Sequence, residues 1–323
     1  MTHDAQSFLN EWHSTTPTVT VLTSGSTGQP KTITVEKERM KASARATCQF
    51  LQIPQSATAL LCMPTRYIAG KMMIVRAEIW PLRLLAVEPS LHPLSTLTET
   101  PYFVAMTPAQ AYASLQIEQE RKILLSVPCL LLGGGAVSEE LELALSGSSG
   151  KVWSSYGMTE TLSHIALRRV GCGHQYYQPL PNVTVGLNNE GCLWIDAPLI
   201  CASRQQTHDI AEILPDGSFR VLGRIDNIVC SGGVKMQLES LEERLATSFS
   251  LRVGEDFLLT WVNDVQWGQA LTLLLHPSVK FDAVQFHTLL PYLKHICYNK
   301  ALPLTPTGKP ARQEAHLLAE TLV

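Results

Sequence analysis

The chain has 323 residues, of which 45% are hydrophobic and 16% are charged, and its formal net charge is −3. This length and balance predict a globular protein of two domains, or of one large and one small domain. The slightly acidic balance excludes a general attraction to nucleic acid, so an anionic ligand must be held by local groups. Because the apolar runs are far shorter than the ~20 residues that span a bilayer, and the N-terminus has no leader pattern, we expect neither a membrane span nor a signal peptide.

Strand and helix patterns alternate in the first part of the chain. Strand patterns over TVTVLTS and KTITVEK flank a glycine-rich segment, and a helical pattern follows at about 36–52. Later strand patterns are ALLCMP, RLLAVE, YFVAMT, CLLLGGG and KVWSSYG. Helical patterns lie between them, over AGKMMIVRAEIW, from Pro108, and after Ser138 as N-cap. This alternation predicts an α/β layered fold.

The pattern changes after about residue 180. VTVGLNNEGCLWID and IAEILPDGSFRVLG read as β-hairpins with turns at 189–191 and 215–217. Beyond them we predict a helix at 238–248, strands at 256–262 and 269–275, and a helix at 282–289. A boundary at 224–227 then divides a large α/β domain with a β-hairpin subdomain, residues 1–223, from a small α+β domain, residues 228–323.

Eight cysteines are scattered along the chain, and none forms a C-x-x-C pair. Their spacing does not favour a metal cluster. We expect reduced, mostly buried thiols in a cytoplasmic protein. They are Cys48, Cys62, Cys129, Cys172, Cys192, Cys201, Cys230 and Cys297.

The segment TSGSTGQPKT, Thr23 to Thr32, has the composition of a phosphate-binding loop. Lys31 and Thr32 fall on the positions of a Walker loop counted from Gly25, but Pro30 replaces the second glycine. A Walker loop opens a helix whose N–H groups hold phosphates, whereas Pro30 has no N–H and TITVE follows as a strand. We therefore predict a hairpin tip at which glycines, hydroxyls and a lysine meet an anion, with a polar turn without ligand as the alternative.

Three further segments accompany this loop, in the order SSYGMTET (154–161), GRIDNIVCSGGVK (223–235) and PTGKPAR (306–312), with LGGGAVSEEL (132–141) between the first two motifs. Together they resemble the adenylate-forming acyl-CoA ligase superfamily, over nearly the whole chain. The resemblance implies that a carboxylate attacks the α-phosphate of ATP to give an acyl-adenylate, and that a thiol then displaces AMP. Such chemistry depends mainly on positioning and on neutralising negative charge.

The resemblance also assigns roles to single residues. Tyr156 would stack on adenine, Thr159 would reach the α-phosphate, and Glu160 would help to hold Mg²⁺. In a motif that usually reads TGD, Thr207-His208-Asp209 keeps the ribose-binding carboxylate but has histidine in place of glycine. The implied nucleotide-binding residues are Thr23, Ser24, Gly25, Ser26, Thr27, Gly28, Lys31, Gly134, Gly135, Ala136, Tyr156, Gly157, Thr159, Asp209 and Arg224.

The C-terminal motifs imply a catalytic lysine and a hinge. Lys309 matches the lysine that contacts the carboxylate and the α-phosphate, so the implied catalytic set is Lys309, Glu160 and Thr159. Asp226 matches the hinge about which a mobile small domain swings, bringing Gly232 and Gly233 to the site for thiol access. A mobile lysine and surface ion pairs are the alternative interpretations of these residues.

The carboxylate is less well defined by the sequence. The compact chain and the stretch PTRYIAGKMMIVRA resemble short bacterial o-succinylbenzoate–CoA ligases of menaquinone biosynthesis. That substrate has a second carboxylate, for which Arg66, Lys71, Arg76 and His164 are candidate partners, against helix-surface charge or a structural histidine as the alternatives. The implied cosubstrates are ATP, Mg²⁺ and coenzyme A, with no nucleic acid or membrane partner.

Other classes stay open. A nucleotide-binding relative without catalysis would need neither Lys309 nor Glu160, and a P-loop ATPase or kinase conflicts with Pro30. A ligase for another aryl or acyl acid, or one that loads a carrier protein, would share the same motifs. A homodimer is also compatible with the sequence.

Overall fold

The computed structural model describes residues 3–22, 32–173, 175–280, 286, 288–305 and 308–323, except for the side chain of His3. The chain divides into two compact units. Unit 1 consists of Met1–Gly186, Trp194–Gln206 and Ile213–Arg220, and unit 2 of Leu187–Leu193, Thr207–Glu212 and Val221–Val323. The last segment of unit 2 thus begins three residues before the predicted boundary at 224–227.

The chain opens with helix α1 (His3–His13) and a two-stranded hairpin, β1 (Thr18–Leu22) and β2 (Thr32–Glu36). The strands are antiparallel, with Leu22 opposite Thr32. The two strands predicted on either side of the glycine-rich segment are therefore confirmed. The segment leads into a strand, whereas a Walker loop leads into a helix.

A seven-stranded sheet forms the centre of unit 1, in the order β4-β3-β5-β6-β7-β8-β9. The first five strands in this order are parallel, and β8 and β9 run antiparallel to their neighbours. The strands are β3 (Thr58–Leu61), β4 (Arg83–Ala86), β5 (Phe103–Met106), β6 (Cys129–Leu132), β7 (Lys151–Tyr156), β8 (Ala166–Arg169) and β9 (Gln178–Pro179). Apolar runs such as FVAM and CLLL are buried at every residue, as expected for strands covered on both faces.

Helices cover this sheet. They are α2 (Lys37–Phe50), α3 (Ile68–Ile79), α4 (Pro108–Leu115), α5 (Glu118–Ser126) and α6 (Glu139–Ala144). Residues of α4, α5 and α6 share one apolar cluster with Val104, Leu130 and Val152 of the strands. Phe50 of α2 packs edge-on against Trp153, which lies on the other face of β7 because side chains alternate along a strand. The predicted α/β layered fold is confirmed.

The two predicted hairpins after residue 180 are confirmed as neighbouring strand pairs. They belong to a four-stranded sheet in chain order, β10 (Thr184–Leu187), β11 (Cys192–Asp196), β12 (Gln205–Ile213) and β13 (Phe219–Arg224). Gly191 and Gly217 adopt positive φ angles of 77° and 83° in the two turns, which explains why glycine stands there.

Unit 2 contains a five-stranded sheet. Strands β15, β14, β17 and β16 lie in that order, and β18 pairs with β17 in parallel. Its elements are β14 (Ile228–Ser231), β15 (Val234–Gln237), α7 (Leu238–Phe249), β16 (Phe257–Asp264), β17 (Gly268–Leu275), β18 (Leu293–Tyr298) and α8 (Arg312–Leu322). One apolar cluster packs α7 on this sheet, and a second packs Ala315 and Ala319 of α8 on Leu258 and Leu274. The helix predicted at 282–289 falls mostly outside the described residues.

In the part of the chain that the structure describes, no helix is long and apolar enough to cross a bilayer. All eight cysteines are free thiols, and six of them are buried. Among the same residues, no three His, Cys, Asp or Glu side chains come together as a metal site.

Candidate functional site

The predicted nucleotide-binding residues of unit 1 follow the carboxyl ends of adjacent parallel strands. Met106 of β5 pairs with Leu132 of β6, and Leu132 pairs with Ser154 of β7. The segments after β6 and β7, which contain Gly134–Ala136 and Gly157–Glu160, therefore leave the sheet at one edge. Ligands of open α/β sheets bind at this edge.

The turn after β6 is rich in glycine, and its main chain lies close to side chains of neighbouring residues. A Cβ atom on Gly133 would lie 2.6 Å from the Ser155 Oγ, whose hydroxyl donates a hydrogen bond to the Leu132 carbonyl. Gly134 has a φ of 83° and is exposed, and Ala136 is also exposed. This turn can present peptide groups to a flat ligand, as predicted for adenine.

Tyr156 ends β7 in an aromatic cluster. Its ring centroid lies 5.8 Å from that of Tyr177 and 5.1 Å from that of Phe219. The next residue must be glycine, because a Cβ atom on Gly157 would lie 1.9 Å from the Ser163 carbonyl oxygen. The close approach holds the YGMTE turn against the segment that follows it.

The end of the YGMTE turn is a short 3-10 helix over Thr159–Thr161. Thr159 is buried within the turn, whereas Glu160 is exposed. An exposed carboxylate suits Mg²⁺, which takes one or two carboxylates and completes its shell with phosphates and water. The residues present therefore fit the predicted magnesium role.

The predicted ribose and hinge residues form an ion-pair network in unit 2. The Arg224 guanidinium donates to Asp209 at 3.2 Å and to Asp226 at 2.7 Å. His208, which replaces the usual glycine, contacts both carboxylate oxygens of Asp226 through Nδ1, at 2.8 and 2.9 Å. Burial raises the pKa of Asp226, but the hydrogen bonds from His208 and Arg224 outweigh this and hold it below its ordinary value.

Lys309 belongs to the same electrostatic group. It is exposed, and neighbouring protein groups lower the pKa of its ammonium by desolvation, while the Asp209 carboxylate opposes that fall. Arg224 lowers the pKa further by charge repulsion. The structure thus brings together Asp209, Arg224, Asp226 and Lys309, which the sequence spreads over a hundred residues.

Gly232 and Gly233 form the two-residue turn between β14 and β15. Their φ angles are 58° and 83°, as a tight antiparallel hairpin requires at both turn positions. A Cβ atom on Gly232 would lie 2.8 Å from the Trp267 indole, and the Gly232 N–H donates to the Trp267 carbonyl at 2.9 Å. This turn is well formed, and its assignment to thiol access stays a prediction.

Two of the three candidate cations for the substrate lie beside aromatic rings of the protein. Arg66 is exposed and lies 4.9 Å from the Tyr67 ring centroid. Lys71 is buried, with its ammonium 3.5 Å from Glu11 and 4.2 Å from the Phe8 ring centroid. Burial lowers the pKa of Lys71, and Glu11 opposes that fall.

Arg76 is the third cation and is 2% exposed. Its Nη2 donates to Ser163 at 3.0 Å and its Nη1 lies 3.7 Å from the Met73 sulfur. Within the described part of the chain, Nε has no hydrogen-bond partner and no carboxylate forms an ion pair with this guanidinium. Burial lowers the pKa of Arg76 to about 10.

His164 lies beside Arg76 and is also buried. Ser163 Oγ lies 3.4 Å from its Nδ1, and Thr47 Oγ1 lies 2.9 Å from its Nε2. Thr47 already donates to the Ser43 carbonyl, so His164 donates from Nε2 to the Thr47 hydroxyl. Burial, and then repulsion from Arg76, holds the pKa of His164 well below its ordinary value.

The seven predicted phosphate-binding residues Thr23, Ser24, Gly25, Ser26, Thr27, Gly28 and Lys31 lie outside the described residues. Ser163 and Thr47 were missed by the sequence analysis, because serine and threonine at those positions have no pattern of their own. Arg76 was weighed only as one of three similar cations. Only the tertiary structure shows that no carboxylate of the described ranges pairs with it.

Comparison with known proteins identifies the family. The sequence model of a family described as "AMP-binding enzyme" matches residues 4–193, more than half of the chain. A second match is to the crystal structure of an acyl-CoA synthetase (AMP-forming)/AMP-acid ligase II-like protein from Dyadobacter fermentans. It is 32% identical and has a TM-score of 0.66, and the match covers 99% of this chain and 94% of that one.

The chain belongs to the AMP-binding enzyme family.

Two further matches are to coenzyme A ligases. The 2-succinylbenzoate–CoA ligase of Haemophilus influenzae is 26% identical over 293 residues, which cover 86% of this chain and 63% of that protein. This chain thus spans less than two thirds of the length of that curated relative. The o-succinylbenzoate–CoA synthetase of Bacillus subtilis, solved in complex with ATP and magnesium, has a TM-score of 0.77 at 18% identity, with 92% of this chain and 69% of that one covered. This last likeness shows the fold.

Proposed function

We propose that this AMP-binding enzyme is an ATP-dependent, AMP-forming carboxylate–CoA ligase. Its substrate would be o-succinylbenzoate, converted through an acyl-adenylate to o-succinylbenzoyl-CoA in menaquinone biosynthesis. The observation that carries the proposal is the grouping of Lys309 with Asp209 and Arg224 in a chain whose relatives include a 2-succinylbenzoate–CoA ligase. A protein that only binds nucleotide has no need of a lysine in this position.

The first half-reaction requires that two anions meet. The carboxylate of the acid attacks the α-phosphate, and the negative charge on the transferring oxygens must be neutralised. In this proposal Lys309 supplies a flexible positive charge at the carboxylate and α-phosphate oxygens. Asp209 accepts hydrogen bonds from the ribose hydroxyls, and Arg224 holds the Asp209 carboxylate in place.

Residues of unit 1 would hold the rest of the nucleotide. Tyr156 and the Gly134–Ala136 backbone contact adenine, and Thr159 lies next to the α-phosphate. Glu160 would hold Mg²⁺, and a bound Mg²⁺ would neutralise negative charge on the phosphates. The glycine-rich segment from Thr23 to Lys31 would supply hydroxyl donors and an ammonium group to the β- and γ-phosphates.

Arg76 is the best candidate for the second carboxylate of the substrate. The Arg76 guanidinium is buried and has no carboxylate partner in the part of the chain that the structure describes, which is unfavourable in the free protein because desolvation is not compensated. A ligand carboxylate would compensate that cost and could accept two hydrogen bonds in parallel. Lys71 is less suitable, because Glu11 and Phe8 already surround its ammonium.

The second half-reaction would use the same site after a swing of residues 228–323 about the hinge at 224–227. That movement would replace Lys309 by the Gly232–Gly233 turn and admit the thiol of coenzyme A. His208 and Arg224 both contact Asp226, the proposed hinge residue. With eight free cysteines, the chain is suited to the reducing cytoplasm.

Carboxylate-dependent ATP–pyrophosphate exchange in the presence of magnesium tests the proposal. The acids are o-succinylbenzoate, benzoate, a medium-chain fatty acid and an amino acid, with a control that contains no acid. Exchange with o-succinylbenzoate alone, followed by AMP release when coenzyme A is added, is the expected result. Exchange with another acid would refute o-succinylbenzoate as the substrate, and release of ADP would refute an AMP-forming reaction. Transfer only to a carrier-protein thiol would show that the acceptor is a carrier protein and not coenzyme A.

A further inference from the structure

A buried ion pair in unit 2 lies at the base of the loop that carries Lys309. Arg312, the first residue of α8, donates from Nη1 and Nη2 to the two carboxylate oxygens of Glu242 in α7, at 2.7 and 2.5 Å. The Arg312 and Glu242 side chains are only 15% and 4% exposed. The geometry is bidentate, which fixes orientation as well as distance.

The same pair is tied to the central sheet of unit 2. Arg312 Nη1 also donates to the Leu259 carbonyl at 3.0 Å, and the Leu259 N–H donates to Glu242 at 2.9 Å. Both main-chain groups of Leu259 on β16 are therefore engaged with this one pair. The network joins α7, β16 and the start of α8 at a single point.

Next to this ion pair, a short ladder of backbone hydrogen bonds holds the loop that bears Lys309. The Ala311 N–H donates to the Pro303 carbonyl at 3.0 Å, Leu304 pairs with Pro310, and the Thr305 N–H donates to the Lys309 carbonyl at 2.7 Å. The ladder ends at Lys309, and its base adjoins Arg312. The position of the Lys309 backbone therefore depends on where Arg312 is anchored.

Stability alone does not explain this arrangement. A buried ion pair is often no more stabilising than apolar residues of the same volume, because both charges lose their hydration. Nearby positions of α8 are apolar, with Ala315 and Ala319 fully buried, so an apolar contact at its first turn would fit the same core. Unlike an apolar contact, the Arg312–Glu242 pair fixes the orientation of the first turn of α8.

We propose that Arg312 is a positioning residue for Lys309, and that its bidentate pair with Glu242 fixes the lysine loop in the register needed for adenylate formation. This inference rests on the proposed function, because it concerns the first half-reaction only. Misplacement of a reacting group by about 1 Å can cost about a hundredfold in rate. A loosened anchor should therefore slow adenylation and spare the thiol step, in which Lys309 takes no part.

The test uses the full-length chain with Arg312→Lys and, separately, Glu242→Gln. Each is assayed for o-succinylbenzoate-dependent ATP–pyrophosphate exchange, for coenzyme A transfer from supplied o-succinylbenzoyl-adenylate, and for thermal unfolding. Arg252→Lys is the matched control, because Arg252 forms an exposed pair with Asp256 in the same unit. We expect exchange to fall about tenfold or more in both variants and transfer to change less than about twofold, with the control unchanged in all three.

A double variant separates positioning from folding. In a Lys309→Ala background, Arg312→Lys should leave the residual exchange unchanged, because the group that Arg312 positions is absent. A parallel loss of both half-reactions, as a merely structural residue would give, overturns the inference, and so does unchanged exchange in both single variants. If the wild-type chain shows no exchange with any acid, the proposed function fails first, and this inference fails with it.

Discussion

Replacement of Arg76 by methionine is expected to impair the use of o-succinylbenzoate without lowering the stability of the protein. Burial lowers the pKa of Arg76 to about 10, well below its ordinary value. One pKa unit corresponds to about 1.4 kcal/mol. The lowered pKa therefore means that the folded protein disfavours the charged Arg76 guanidinium by roughly 3 kcal/mol. The hydrogen bond to Ser163 returns about 1.5–3 kcal/mol, so Arg76→Met should leave the free energy of unfolding unchanged or raise it by up to about 2 kcal/mol.

The effect on the reaction should be large. If the second carboxylate of o-succinylbenzoate pairs with Arg76, its loss leaves a buried ligand charge without a partner, at a cost of about 2–5 kcal/mol. This corresponds to a fall of about thirtyfold or more in kcat/KM for o-succinylbenzoate in ATP–pyrophosphate exchange. An acid with one carboxylate should be affected much less, since it presents no second charge.

Urea unfolding and the exchange assay on the same preparations test this prediction. Lys71→Met is the matched control, because Lys71 has its own carboxylate partner in Glu11. The control should lose about 1 kcal/mol of stability and keep its preference for the dicarboxylate. A loss of more than about 2 kcal/mol in Arg76→Met without a change in kcat/KM would refute the reasoning and make Arg76 a structural residue.

Three further predictions follow from other residues of the site. Lys309→Ala should lower adenylate formation by about a hundredfold or more and leave coenzyme A transfer from supplied acyl-adenylate intact, and equal loss in both assays would contradict its role. Gly157→Ala should raise the KM for ATP and lower stability by about 1–3 kcal/mol, because its Cβ would lie 1.9 Å from a carbonyl oxygen; a wild-type KM and melting temperature would count against the close approach. Burial and Arg76 keep the pKa of His164 low, so only the unfolded chain binds a proton there below about pH 6.5. The free energy of unfolding should therefore fall by at most about 1.4 kcal/mol per pH unit on acidification. Urea unfolding between pH 7 and 5 should show that this free energy depends less on pH in His164→Gln than in the wild-type protein.

The order of motifs and the local elements were predictable from the sequence. Alternation of strands and helices gave the layered class, and Pro30 with the strand pattern after it indicated a hairpin in place of a Walker loop. Strands β8, β9, β14, β15 and β18 were not predicted, since they are short and their patterns are mixed. Their pairing depends on neighbours that are distant in sequence.

The sequence by itself determined which chemical groups the protein has and where its turns fall, because periodicity, glycine and proline act within a few residues. The tertiary structure alone decided which of those groups have partners. It paired Lys71 with Glu11 and Arg312 with Glu242, across 60 and 70 residues, and left Arg76 buried with no carboxylate partner among the residues that the structure describes. Desolvation and ion pairing depend on packing in three dimensions, so three similar cations of one sequence segment acquire different chemistry only after the chain has folded.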